Sequence, residues 1–119
     1  MLVQFICMQP ILTVLFFRTA RGSEPVREWL LEMPAEDRKT IGTDIKTVQF
    51  GWPLGMPLIR KLAPDLWEVR SRLTNQIARV LFTVVDQEMV LLHGFIKKSQ
   101  KTPGEDLDLA KSRLRLIGG

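Results

Sequence analysis

Residues 65–97 read DLWEVRSRLTNQIARVLFTVVDQEMVLLHGFIK, which is three apolar runs separated by two short polar breaks. In the first run Trp67 and Val69 alternate with Glu68 and Arg70, and this two-residue period is that of a β-strand. The next two runs are rich in the β-branched and aromatic residues that favour strands. The breaks TNQ and DQE have the length of hairpin turns. We therefore predict an antiparallel meander with strands at 66–73, 77–85 and 89–97.

Upstream of the meander, the apolar residues recur at intervals of three and four, which is the spacing of helices. The first helix is predicted to begin after Ser23, a good N-cap, with Glu24 and Pro25 in its first turn. The second begins at Pro34 and ends at the Gly- and Pro-rich stretch FGWPLGMP. The two helices form a hairpin with two predicted apolar faces, which are Val26, Trp29, Leu30 and Met33, and then Ile41, Ile45 and Val48.

Three further elements are predicted outside the meander and the two helices. Apolar and β-branched residues predict a buried strand at 12–18, and LIRKL predicts a short strand at 58–62. After the meander, Thr102 as a cap and Pro103 in the first turn predict a C-terminal helix. Its predicted apolar face is Leu107, Ala110, Leu114 and Ile117.

This order, β-α-α-β-β-β(-β)-α, predicts an α+β fold in which a small antiparallel sheet packs against an N-terminal helical hairpin and a C-terminal helix. A length of 119 residues fits one domain, which we assign to residues 12–119, with residues 1–11 as a loose N-terminal extension. The first 17 residues are apolar but lack a positive n-region, and Pro10 interrupts a run that is short for a bilayer. We therefore expect a cytoplasmic protein without a membrane partner.

The net charge of +4 comes largely from residues 53–103, where eight basic side chains face four acidic ones. Such a distribution suits a polyanion such as nucleic acid, although it is also ordinary for solubility. One cysteine and one histidine leave no disulfide framework and no Cys/His metal site. Nucleotide-binding loops and the common hydrolase motifs are absent from the sequence. We expect neither a metal nor a cofactor.

The remaining candidates for chemistry are cations on the predicted strands. In an antiparallel meander the end of one strand lies beside the start of the next, so Lys97 and Arg72 should both lie near Arg79. Fixed cations stabilise the charge of a phosphorane formed when a 2′-hydroxyl attacks its own phosphodiester. A lysine crowded by other cations also has a lowered pKa and can act as a base.

A simpler interpretation remains open for each of these residues. Arg70 and Arg72 could form a solvated sheet face on which Glu68 pairs with one of them. Arg79 stands in an apolar run, where a charge is costly unless it reaches an edge or a partner. His93 falls, by alternation, on the face of Met89, Leu91 and Phe95, where it is either a hydrogen-bonded core residue or a candidate acid. Trp52 and Phe95 could stack on bases or belong to the core.

Five strings carry a resemblance to a known family: TVLFFRTARGSEPVREWL, LWEVRSRL, ARVLFTV, VLLHGFIKKSQKTP and DLDLAKSRL. They resemble the RelE/HigB-type toxins of bacterial type II toxin–antitoxin pairs, in the branch labelled phage-derived. The resemblance spans residues 12–116, and LLHGFIKKSQKTP is its most specific part. It implies the RelE-like fold and a ribosome-dependent mRNA endoribonuclease, or mRNA interferase, that works by metal-independent 2′-hydroxyl attack. It also implies a helix-turn-helix, HigA-type antitoxin as partner, together with the ribosome and mRNA.

The resemblance and the strand pattern together give the candidate site. The candidate catalytic residues are Arg79, Lys97, Lys98, Arg70 and His93. The candidate RNA-binding residues are Arg60, Lys61, Arg72 and Lys101. Many toxins of this type place a tyrosine after the last-strand cation, whereas this chain contains no tyrosine. Two alternatives therefore stay open: a catalytically degenerate binding module in an antitoxin or repressor complex, and a phage accessory protein.

Overall fold

The computed structural model describes residues 11–97 and 103–118. In this part of the chain the elements are β1 Thr13–Phe16, α1 Pro25–Leu31, α2 Ala35–Gly51, β2 Ile59–Ala63, β3 Leu66–Arg72, β4 Ile77–Val85, β5 Glu88–Lys97 and α3 Gly104–Gly118. The predicted element order and the α+β fold class are confirmed. All but the last residue of the predicted N-terminal extension, and the predicted cap at Thr102, lie outside the described residues.

The five strands form one mixed sheet in the order β1-β5-β4-β3-β2. Strands β2 to β5 are the predicted antiparallel meander, because each pairs with its neighbour in the chain. Strand β1 pairs in parallel with β5, with Thr13 opposite Glu88. The first strand therefore lies at the sheet edge beside the last one.

One face of the sheet, which we call the hairpin face, is covered by α1 and α2. The predicted stripe Ile41, Ile45 and Val48 of α2 is buried there. Trp52, at the end of α2, packs edge-on against Trp67 with 5.0 Å between ring centroids, so it belongs to the core. A larger set of buried strand residues completes this layer: Ile59, Val69, Ala78, Val80, Phe82, Met89 and Leu91.

The opposite face, the α3 face, is apolar only where α3 covers it. Ala110 of α3 is fully buried against Leu81 and Leu92 of the sheet. The predicted helix face is confirmed, because Leu107, Leu114 and Ile117 also pack on this cluster. The rest of the α3 face carries charged side chains and forms the candidate site.

The helix starts differ in detail from the prediction. Glu24, and not Ser23, is the N-cap of α1, with extended backbone at φ −120°. The Ser23 hydroxyl is instead 2.8 Å from the hydroxyl of Thr19, in the turn that precedes the helix.

Among the described residues, no helix has both the length and the apolar character needed to cross a bilayer.

Candidate functional site

Three cross-strand rows lie side by side on the α3 face, and each row takes one residue from β3, β4 and β5. They are Glu68–Leu81–His93, Arg70–Arg79–Phe95 and Arg72–Ile77–Lys97. Arg79 is the centre of this grid. Directly paired residues have Cβ atoms about 5 Å apart and diagonal neighbours about 7–8 Å apart. The register thus places Arg79 beside both Lys97 and Arg72, as the antiparallel order predicts.

A buried ion pair lies at the heart of the grid. The Arg79 guanidinium donates through Nη1 to Oε1 of Glu68, and both side chains are almost completely buried. Arg60 of β2 approaches the same carboxylate, with its Nε 3.7 Å from Oε1. The expected surface pair between Glu68 and Arg70 or Arg72 is wrong, because Glu68 is 0% exposed and binds cations from the two flanking strands instead.

We call Arg60, Glu68, Arg70, Arg79 and Lys97 the charge cluster. The other four members all act electrostatically on Lys97, and Glu68 is the only carboxylate of the cluster among the described residues. The cluster therefore has an excess of three positive charges when Lys97 is protonated. Such an excess in a partly buried place is unstable on its own and attracts an anion.

Burial shifts the pKa values of two cluster members. Burial lowers the pKa of Lys97 to about 8, and the nearby Arg79 adds to this effect. Burial also lowers the pKa of Arg79, while Glu68 opposes the shift. Lys97 is 6% exposed, so the shift reflects a charge that is largely removed from water. An amine with a pKa of about 8 exchanges protons readily near neutral pH.

Arg79 itself is not on the accessible surface. Its side chain is 2% exposed, and its Nε has no hydrogen-bond partner among the residues that the structure describes. Arg70 is half-buried, and the Arg60 side chain is 34% exposed. These two arginines therefore form the accessible rim of the charge cluster, and Arg79 lies beneath them.

His93 lies on the α3 face, and the predicted alternation with Met89 and Leu91 is wrong. A register shift in the β4–β5 pairing puts His93 opposite Leu81, whereas Leu91 is opposite Phe82. The extra residue between these pairs moves His93 to the other face. There its Nε2 is 2.5 Å from Oδ1 of Asp106 in α3. Its ring also stacks on Phe95, with 5.4 Å between centroids.

The remaining predicted residues divide between the two faces. Lys61 pairs with Trp67 across β2 and β3 and lies over its ring, with Nζ 5.8 Å from the centroid, so it is on the hairpin face. Arg72 is exposed and lines a separate groove next to the cluster. Lys98 and Lys101 lie outside the described residues.

Sequence reasoning missed the positions of three carboxylates near the site, one of which, Glu68, it expected on a solvated face. Glu68 could have been found, because Arg79 in an apolar run needs a buried partner and Glu68 is its diagonal neighbour. Asp106, which holds His93, depends on the position of α3 and has no signal in the strands. Asp44 of α2 lines the groove beside Arg70 and depends in the same way on helix packing.

Comparison with known proteins gives one family. The chain matches the family described as phage derived protein Gp49-like (DUF891) over residues 28–115. This match runs from α1 into α3 and includes every member of the charge cluster. No curated protein matches the chain.

Across the described residues, no group of three or more His, Cys, Asp or Glu side chains could hold a metal ion.

Proposed function

The chain belongs to the Gp49-like family of phage-derived proteins, part of the RelE-like toxin superfamily, and we propose that it is a HigB-type mRNA endoribonuclease that acts on the ribosome. The family is associated with the toxins of toxin–antitoxin systems, and this association implies an antitoxin partner. We further propose that this partner is a helix-turn-helix protein of the HigA type.

The charge cluster is the observation that supports an RNase. When a 2′-oxygen bonds to the adjacent phosphorus, the 5′-oxygen leaves, and the products are a 2′,3′-cyclic phosphate and a 5′-hydroxyl. The phosphorane between them carries more negative charge than the substrate. Cations that are already in place stabilise it more than they stabilise the substrate, which lowers the barrier. An excess of three positive charges around Arg79 supplies this field.

The proposed roles follow from burial. Arg70 and Arg60, at the accessible rim, contact the phosphate oxygens. Arg79 is buried and held by Glu68, so it acts as a positioning residue through its field and not by contact. Its charge also lowers the pKa of Lys97.

One proton must leave the 2′-hydroxyl and one must reach the 5′-oxygen. Because the chain has no tyrosine, we propose that Lys97 or its neighbour Lys98 performs this transfer. The pKa of Lys97, about 8, suits this task near neutral pH. His93, oriented by Asp106, is the third candidate for the transfer.

The direct test is expression of the chain alone in bacteria, followed by mapping of new 5′ ends on ribosome-bound mRNA. We expect growth arrest and cleavage within translated codons. Arg70→Gln should lower the amount of cleaved mRNA by at least tenfold and restore growth, since it removes a rim cation. Arg115→Gln makes the same change on the exposed last turn of α3 and should have no effect. If expression is harmless and ribosome-bound mRNA is not cleaved, the proposed RNase activity is contradicted.

A second candidate function has one observation in its favour. Arg79, the central cation, is already neutralised by Glu68, as expected for a binding module that has lost catalysis. Such a module would still bind the antitoxin but would not stop growth. Co-expression with the product of the adjacent gene distinguishes the two. Lethality of the chain alone, with rescue by that product, supports the toxin, whereas a stable complex without lethality supports the module.

A further inference from the structure

A groove of about 340 Å³ opens beside the charge cluster, between α2 and the end of the sheet. Arg70 and Arg72 of β3 line it together with Thr40 and Asp44 of α2. Three apolar residues complete the lining: Pro57, Leu58 and Ile77. The volume lies at the lower end of the range of ligand pockets, about 300–1,000 Å³.

The charged side chains that line the groove do not form ion pairs with one another. Asp44 is half-buried, yet its carboxylate forms no hydrogen bond or ion pair with any described residue. Arg70 and Arg72 likewise form no ion pair within residues 11–97 and 103–118. The Thr40 hydroxyl donates to the Glu36 carbonyl, which leaves its lone pairs to accept a bond. The groove therefore offers acceptors on the helix side and strong donors on the strand side.

Arg70 belongs both to the charge cluster and to this groove. A phosphate bound at the rim by Arg70 would therefore have its neighbouring nucleotide at the mouth of the groove. Single-stranded RNA is read by hydrogen bonds to base edges and by contacts with base faces. The apolar side chains Leu58 and Ile77 provide a surface for a base face.

We propose that this groove binds a guanine base of single-stranded RNA, and that the Asp44 carboxylate selects it. This inference rests on the proposed function, because it assigns the base next to the attacked phosphate. Guanine presents two adjacent N–H donors on its pairing edge, and the two oxygens of a carboxylate accept both. Adenine presents an acceptor at the same place, which would face the lone pairs of Asp44. Arg72 then binds the phosphate on the far side of the base.

Binding is measured with fluorescein-labelled pentaribonucleotides that are 2′-O-methylated and so cannot be cleaved. Four probes have uridines at the flanking positions and G, A, C or U in the centre. By fluorescence anisotropy we expect the guanine probe to bind about tenfold more tightly than the adenine probe, as for one bidentate base contact. Asp44→Asn should reduce this preference to less than about twofold, because an amide offers one acceptor only.

Two matched variants make the result specific. Asp37→Asn changes the same residue type two turns earlier on α2 and should keep the preference for guanine. Arg72→Gln should weaken all four probes alike, since a phosphate contact does not distinguish bases. Circular dichroism confirms that each variant is folded. Equal binding of the four probes, absence of binding, or an unchanged preference in Asp44→Asn would each overturn the inference.

The mapping of mRNA cleavage separates this inference from the proposed function. Cleavage on ribosomes without any preference for guanine in the anisotropy assay would contradict the proposed guanine site and support the proposed RNase activity. A preference for guanine that depends on Asp44, without cleavage or toxicity, would contradict the RNase activity and support the groove as an RNA-binding site. Cleavage sites enriched in guanine, with the enrichment lost in Asp44→Asn, support both.

Discussion

The two faces of the sheet are built from the same strands, yet among the described residues only the α3 face buries charged side chains, beside its apolar cluster. On the hairpin face the partly buried Trp52 and Trp67 pack on the buried Phe82 and its aliphatic neighbours. The α3 face buries Glu68 and Arg79 between cations. Removing apolar surface from water stabilises a fold, whereas removing charges from water costs free energy unless they are paired. The first face therefore explains stability, whereas the ion pair of the second is a cost for which the proposed function would give a reason.

The strongest test of this difference is Glu68→Gln, which should destabilise the fold by about 3–5 kcal/mol. The variant keeps the size of the side chain but leaves Arg79 as a buried cation without its carboxylate. Denaturant unfolding measures the loss. In this background Arg79→Met should recover part of the stability, because an apolar side chain then fills the site.

The control for this variant is Glu36→Gln, an exposed acid in the first turn of α2. It should change the free energy of unfolding by less than about 0.5 kcal/mol. If Glu68→Gln costs no more than this control, the ion pair does not stabilise the α3 face.

The second prediction concerns pH. The pKa of Lys97 is about 8 in the fold and 10.5 ordinarily. Below pH 8 the lysine is protonated in both states, so burial of its charge costs stability there. Between pH 8 and 10.5 only the unfolded chain keeps the proton, so stability rises with pH. Relative to Lys97→Met, we expect the wild type to gain at most about 3 kcal/mol over this window.

Urea unfolding at several pH values compares the two proteins, and methionine keeps the volume of the aliphatic side chain. The difference between them isolates Lys97 from the other titrating groups. A difference that stays constant from pH 7 to pH 10 would show that Lys97 titrates alike in both states.

The third prediction addresses the hairpin face. Gly94 of β5 lies against the Trp29 ring, and a Cβ atom there would overlap it. Gly94→Ala should therefore cost about 1–3 kcal/mol by overpacking. Trp29→Leu should cost less in the Gly94→Ala background than in the wild type, because the smaller side chain removes the overlap. Thermal unfolding of the four proteins in this cycle measures the coupling. Additive effects would exclude the contact.

The smallest expected effect is at Lys61, whose ammonium lies over the Trp67 ring on the hairpin face. Because Lys61 is exposed, Lys61→Gln should lower the free energy of unfolding by no more than about 1 kcal/mol. Denaturant unfolding gives the value. A loss as large as that of Glu68→Gln would mean that the two faces do not differ as described.

The sequence predicts the elements well and the site only in part. The alternation of β3 and the stripe Ile41, Ile45 and Val48 are local patterns, so both faces follow from them. Local patterns also bring Lys97 next to Arg79, because antiparallel order alone decides it. The position of His93 does not follow from these local patterns. One extra residue in β5 moves the His93 side chain to the opposite face of the sheet, and nothing in the amino-acid composition signals it. Asp44 and Asp106 reach the site through helix packing, which depends on the whole chain.

The parallel pairing of β1 with β5 has a consequence for how the chain folds during its synthesis. Strand β1 is made early, but its only hydrogen-bonded neighbour among the described strands is the last one. The charge cluster likewise draws on β2, β3, β4 and the final residue of β5. Contacts between distant parts of a chain cannot form until both parts have been synthesised. Lys97, the last residue of β5, therefore completes the cluster only after β2, β3 and β4 have been synthesised.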